Sequence, residues 1–294
     1  SLSMLNGFFV EGKAEQVAPE VIPDINQFET CTRVLSRFTE FSNVFLIEVS
    51  RGCPFKCSFC VTAHMYKHFR FRDAGRVLET ARRGLRFTKR IGLIGASMPN
   101  YPEISFLCKE LRSLGAQISF SSLRVEFVTE EIINFLIESG QHSITIAPET
   151  GSERLRNLIN KSISDESILR VINLAKLKGI KTVKLYFMLG LPGETQDDVI
   201  SIVKFSNIIS KIIRIRLSIS PFVPKPNTPF ANERFEDLKV LKQRIRYIRS
   251  RLRQGVKLSL QSPRLAYIEY LLASGDEEVL FSSFQKVLKK GQIE

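Results

Sequence analysis

From residue 44 onward, short apolar runs of strand length alternate with stretches of helical period. The runs fall at 44–50, 91–96, 117–123, 142–147, 181–189 and 213–220, and the helical stretches at 75–89, 102–114, 130–139, 164–178 and 196–211. Several runs are unbroken apolar or β-branched segments rather than strict alternations, as strands of a covered parallel sheet are. A β-then-α rhythm repeated in this way demands parallel strands joined by right-handed crossovers. Six such units suit an open doubly wound sheet or a partial barrel, and spacing alone does not separate the two. With 294 residues the chain is long enough for one large α/β domain with small additions.

Parallel α/β folds bind ligands at the C-terminal ends of their strands, and the unusual residues of this chain fall there repeatedly. Three cysteines follow the first run, Ala96-Ser97-Met98-Pro99-Asn100 the second, and Ser121-Ser122-Leu123-Arg124 ends the third. Pro148-Glu149-Thr150-Gly151-Ser152 follows the fourth, Gly190-Leu191-Pro192-Gly193-Glu194 the fifth, and the four-proline segment Pro221–Pro229 the sixth. One such coincidence is weak, but six on one face define a site.

The cysteines Cys53, Cys57 and Cys60 are spaced C-x3-C-x2-C on one loop. Three thiolates can hold three irons of a cubane [4Fe–4S] cluster. Since protein clusters usually take four cysteines, three leave one iron open to a substrate. The alternative is a structural zinc site, which favours a second C-x2-C pair. The remaining cysteines, Cys31 and Cys108, are each isolated. No histidine completes a ligand pair: His64 and His68 follow Cys60 closely, and His142 opens a later strand. A disulfide reading suits neither the odd count of five cysteines nor the absence of a secretory pattern before them.

C-x3-C-x2-C with the aromatic Phe59 before its last cysteine resembles the radical S-adenosylmethionine superfamily. The wider match lies in Phe45–Cys53, Ile94-Gly95-Ala96, Ser121–Arg124, Ala147–Leu155 and Leu185–Thr195. These segments resemble the branch whose radical domain follows an N-terminal cobalamin-binding domain. The resemblance implies an α/β fold, a partial (βα)6 TIM-like barrel over 43–235. It would be preceded by an arm or linker remnant over 1–42 and followed by the basic helix and a small α+β appendage over 236–294. In the appendage a strand is expected at Val256–Leu260 and helices near 263–273 and 276–290. Residues 1–40 lack a sustained period, and Pro19 and Pro23 suggest an extended arm.

The same resemblance implies site roles. Cys53, Cys57 and Cys60 would ligate a 4Fe-4S cluster whose open iron is chelated by S-adenosylmethionine, and Phe59 would shield it. Gly95, Ala96 and Ser97 stand where family members present backbone carbonyls to the cofactor's amine, although the family's Gly-Gly-Glu is not intact. Ser122 lies beside Arg124 at the end of the third strand. Arg124 and Lys161 are candidates for the methionine carboxylate, with a helix-end lysine as the alternative for Lys161. Glu149 would accept from ribose hydroxyls or the amine, or else cap the next helix, a duty Ser152 can fill. Gly190 and Gly193 would admit adenine, or serve the turn alone. An electron donor of flavodoxin or ferredoxin type follows as a partner.

The branch leaves open a cobalamin-dependent methyl transfer, with cobalamin on a domain not in this chain, since no Asp-x-His-x-x-Gly stretch occurs here. Ser1-Leu2-Ser3 before Met4 suits a fragment of a longer chain. An RNA-modifying methylthiotransferase is the alternative, and a non-catalytic iron–sulfur nucleic-acid-binding module is a second. Net charge is +13, attractive to nucleic acid or an anionic substrate. It gathers at Arg82–Arg90 and along Lys239–Arg253, an amphipathic helix with a solvated or partner-binding basic face. No apolar run reaches the roughly 20 residues that span a bilayer, and a reduced cluster implies a cytoplasmic setting.

Overall fold

The computed structural model describes residues 21–66, 68–96, 100–120, 123–274 and 281. Its strands are β1 (Phe45–Glu48), β2 (Ser50–Arg51), β3 (Arg70–Phe71), β4 (Arg90–Ile94), β5 (Gln117–Phe120), β6 (Ser143–Glu149), β7 (Thr182–Leu189), β8 (Arg214–Pro221) and β9 (Lys257–Leu260). Its helices are α1 (Val61–Met65), α2 (Ala74–Gly84), α3 (Ile104–Ser113), α4 (Glu130–Glu138), α5 (Glu153–Leu158), α6 (Asp165–Lys178), α7 (Gln196–Ile212), α8 (Leu238–Arg251) and α9 (Pro263–Ser274).

The main strands pair in parallel and in chain order. β1, β4 and β5 form one block and β6, β7, β8 and β9 the other. Leu123 joins the blocks by a parallel bridge to Ile146, its amide donating to the Thr145 carbonyl at 2.9 Å. This is the partial barrel of the expectation. β9, the strand foreseen in the appendage, lies in register against β8 as a further parallel strand.

Strand alternation sorts the two faces of the sheet. Ile144, Ile146, Val183, Leu185, Phe187, Ile215, Leu217 and Ile219 are buried in one core with helix residues such as Ile168, Val171, Ile172, Ile202, Ile209, Leu241 and Ile248. The residues between them, among them Thr145, Lys184, Tyr186, Arg216 and Ser218, face the lumen and stay partly or fully exposed.

The helices begin and end where local chemistry dictates. Ser164 caps α6 through the Ser167 amide, acids occupy its first turn and lysines its last, and Gly179 at φ +96° closes it. Thr195 and Asp198 form a capping box at α7. α2 stops at Gly84, where a Cβ would strike the Phe45 ring. The helix expected to reach residue 89 is shorter, ending at Gly84 with Leu85 as its C-cap, and of the basic run only Arg82 and Arg83 ride it. The first run also breaks, β2 leaving the sheet to pair with β3.

Within residues 21–44 the chain runs along the β1 edge. The buried Arg72 guanidinium ties it down by donating to the carbonyls of Ile25 and Phe28, each at 2.6 Å, and of Glu48 at 2.9 Å. The helix expected near 276–290, apart from residue 281, and residues 1–20 of the N-terminal arm lie outside the described residues.

Candidate active site

The three cysteines occupy the loop that leaves β2. Gly52 starts it at φ +85°, where a Cβ would come within 2.8 Å of the His68 carbonyl, so only glycine suits the turn. The Cys60 amide donates to the Cys57 carbonyl at 3.1 Å, and a His64 ring nitrogen meets that carbonyl at 3.1 Å. The loop is anchored to distant segments. The Ser58 amide donates to Ile159 at 2.9 Å, Asn160 Nδ2 to the Lys56 carbonyl at 2.7 Å, and the Phe230 amide to Ser58 at 3.3 Å. Phe59 packs against Leu155, Ile159, Leu191 and Phe222, an apolar wall beside the thiols.

Arg124, from the segment after β5, contacts this loop, and Lys161, from the segment after α5, acts on its thiols through its charge. The Arg124 guanidinium lies over the Phe55 ring, 3.5 Å from its centroid, with Nη1 3.8 Å from Cys57 Sγ and Nη2 on Glu126 at 2.6 Å. Lys161 is buried and its ammonium donates to Glu149 Oε1 at 2.6 Å. Burial pushes the Cys53 and Cys57 thiols up, while Arg124 and Lys161 pull them down. Ligand thiols lose their protons when metal binds, and both cations favour that charged state.

Glu149 has φ +69°, just past the irregularity that shifts the β6–β7 register after Ile146. A non-glycine residue in that region is a strained position. Helix capping does not explain it, because Ser152 caps α5 by accepting from the Leu155 amide at 3.2 Å. Glu149 and Lys161, each expected to meet the cofactor, thus meet one another.

Gly190 and Gly193 have φ of +82° and +73°. The atoms pressed against them are protein: a Cβ would come 2.7 Å from Glu236 Cβ at Gly190 and 2.9 Å from Leu158 Cδ1 at Gly193. Gly95 is buried and Ala96 exposed at the end of β4, while Ser97 and Ser122 lie outside the described residues.

Sequence reasoning missed Glu194 and Arg244. The Glu194 side chain is buried, accepts from the Gly190 amide at 2.7 Å and pairs with Arg244 at 2.5 Å. Its carboxyl is nevertheless pushed up to about 7, because burial outweighs those partners. The signal available was a carboxylate closing the Gly-Leu-Pro-Gly turn; Arg244 was hidden among its basic neighbours. Asn160, at φ +56°, was missed as the anchor of the cysteine loop.

The residues present fit a [4Fe–4S] cluster. Three soft sulfur donors share one loop, an apolar wall flanks them, and two cations face the anion. Among the described residues no three His, Cys, Asp or Glu side chains converge on a single metal-ion position; a cubane asks instead for each thiolate on a different iron.

The family model of the Radical SAM superfamily matches residues 47–206, more than half of the chain. An uncharacterized protein of Methanocaldococcus jannaschii is 37% identical over 243 residues, covering 81% of this chain and 54% of its own. A tRNA-2-methylthio-N(6)-dimethylallyladenosine synthase of Sulfurihydrogenibium is 24% identical over 235 residues, covering 76% of this chain and 53% of its own. The chain thus spans about half the length of these curated relatives. Among solved structures, the apo form of the cobalamin-dependent S-adenosylmethionine radical enzyme OxsB has a similar fold, at a TM-score of 0.53 and 15% identity, over 92% of this chain and 41% of its own. Together with the cysteine loop at the strand ends, the family match shows that this chain belongs to the radical S-adenosylmethionine superfamily of enzymes.

Proposed function

We propose that this chain binds a [4Fe–4S] cluster through Cys53, Cys57 and Cys60 and reductively cleaves S-adenosylmethionine on it. Bound together and reduced, the two cofactors supply a 5′-deoxyadenosyl radical. The observation that carries the reading is the meeting, at one end of the barrel, of the cysteine loop with Arg124 from beyond β5 and the Glu149–Lys161 pair from beyond β6. Arg124 and Lys161 balance cluster charge and receive the methionine carboxylate. Glu149 turns to the cofactor's amine or ribose hydroxyls, exchanging Lys161 for them. Phe59 and its apolar neighbours keep water from the cluster.

For the step that follows we place first a methyl transfer with cobalamin carried outside this chain, on the branch resemblance in Phe45–Cys53 and Ala147–Leu155. Methylthiolation of RNA is the second reading, favoured by the synthase likeness and the charge of +13. It needs a second cluster, and Cys31 and Cys108 are the sole cysteines left for one. A flavodoxin or ferredoxin type donor would supply the electron in a reducing, cytoplasmic setting. Among the described residues no helix is long and apolar enough to cross a membrane.

Anaerobic reconstitution followed by dithionite and S-adenosylmethionine is the test. Release of 5′-deoxyadenosine and methionine, lost in Cys57→Ala, is expected. A parent chain that carries about four irons yet releases neither product sinks the proposal. A count near eight irons per chain moves weight to methylthiolation.

A further inference from the structure

Below the cofactor end, the lumen face carries an unusual rung. Lys184 of β7 sits opposite Arg216 of β8, which sits opposite Lys257 of β9. Arg214 lies on the same face of β8, one alternation lower. Adjacent strands lie about 4.8 Å apart, and like charges directly opposite one another destabilise a sheet. None of the four cations forms an ion pair or side-chain hydrogen bond with a described residue; Lys184 rests over the Tyr186 ring, 4.5 Å from its centroid. Elsewhere at the site the cations are matched, Arg124 to Glu126, Lys161 to Glu149 and Arg244 to Glu194.

The next rung up is Tyr186, Ser218 and Ser259, again in register across the same three strands. Three hydroxyls therefore stand directly above three cations, a set of donors spread over two rungs. Hydroxyls and cations in that pattern suit an anion with several oxygens, and arginine and lysine bind such groups through charge-assisted hydrogen bonds. Lys184 precedes Phe187, the register partner of Glu149, by three residues, so the rung lies about 10 Å along the strands from that carboxylate.

We infer that Lys184, Arg216 and Lys257, with Tyr186, Ser218 and Ser259, bind a phosphate group of the substrate. The group sits on the lumen face and holds the rest of the substrate up toward the cysteine loop. This inference rests on the proposed function only in taking the lumen as the place where substrate binds.

Inorganic phosphate is titrated calorimetrically into the reconstituted chain, with acetate as the comparison. Saturable phosphate binding is expected. Arg216→Gln and Lys257→Gln should each loosen it about ten-fold, the effect of one lost charge-assisted contact, and Arg216→Lys should recover most of it. Arg246→Gln and Arg249→Gln, on the outer face of α8, should leave it at the parent's value. Unchanged melting temperatures separate loss of binding from loss of fold, and Lys257, on the outermost described strand, is the safer of the two sites. Absence of saturable binding, equal affinity for acetate, or equal loosening by the α8 changes overturns the inference. Release of 5′-deoxyadenosine by the parent, assayed on the same preparation, judges the proposed function separately.

Discussion

Cys57 and Cys108 are both buried thiols, yet their surroundings assign them different chemistry. Cys57 shares its loop with two further thiols and has Arg124 beside it, whereas Cys108 sits in the apolar core on α3, where burial pushes its thiol up to about 12. Cys57→Ala should therefore abolish iron binding, and Cys108→Ala or Cys31→Ala should leave the iron content of the reconstituted chain unchanged. Loss of iron on removing Cys108 would refute the ligand assignment. Glu149 tests the cofactor pocket in the same way. Its strained backbone is tolerated beside a buried lysine, and a carboxylate held there is positioned for charge-assisted bonds. Glu149→Gln and Arg124→Ala should each weaken S-adenosylmethionine binding by about 1–3 kcal/mol. Equilibrium dialysis that finds both variants binding as the parent does would remove these two roles.

Among elements, α7 shows how the strand ends are held in place. Gly151 lies against it so closely that a Cβ would run into the backbone of Ser201 and Ile202. Gly151→Ala should cost about 1–3 kcal/mol of stability, the usual penalty of overpacking, measurable by urea unfolding. Glu194, at the head of the turn into α7, gives stability a pH dependence. Its carboxyl rises from 4.5 to about 7 in the folded chain, so the folded state keeps a proton that the unfolded state has released. Stability from this group is complete below about 4.5 and is lost as pH rises through about 7. Glu194→Gln should flatten that decline; an identical pH profile in the variant would show that the group does not titrate this way. The apolar stripe and basic face of the sequence predict α8, and the structure divides that face. Arg244 is taken up by Glu194 and Glu236, while Lys242, Arg246 and Arg249 remain exposed. If α8 touches RNA, changing Arg246, Arg249 and Arg253 to Gln lowers the slope of log affinity against log salt. We expect equal slopes in parent and variant, because the stripe from Leu241 to Ile248 already accounts for the helix.

At the scale of the whole molecule, the parallel order of strands was legible because apolar runs of strand length alternate with stretches of helical period, a rhythm that demands parallel strands but does not by itself choose between an open sheet and a partial barrel. The cysteine spacing was legible for a different reason, since ligands on one short loop need no tertiary information to be found together. What escaped is non-local. Neither the meeting of Glu149 with Lys161, nor the anchoring of the cysteine loop by Asn160, nor the burial of Glu194 against Arg244 is written in any window of sequence, because each depends on packing between elements. The lumen rung was hidden for a related reason. Lys184, Arg216 and Lys257 are single cations in separate runs, and only strand register puts them side by side.

The anchoring of the cysteine loop also has a consequence in time. Asn160 stands 104 residues beyond the Lys56 carbonyl it holds, and Phe230, which holds Ser58, comes later still. A chain made from its N-terminus onward exposes its three thiols to the cell long before the segments that shape them exist. The order of synthesis thus leaves the cysteine loop without its anchors until residue 230 has been made, and under the proposed ligand assignment the cluster would be delivered only after that point.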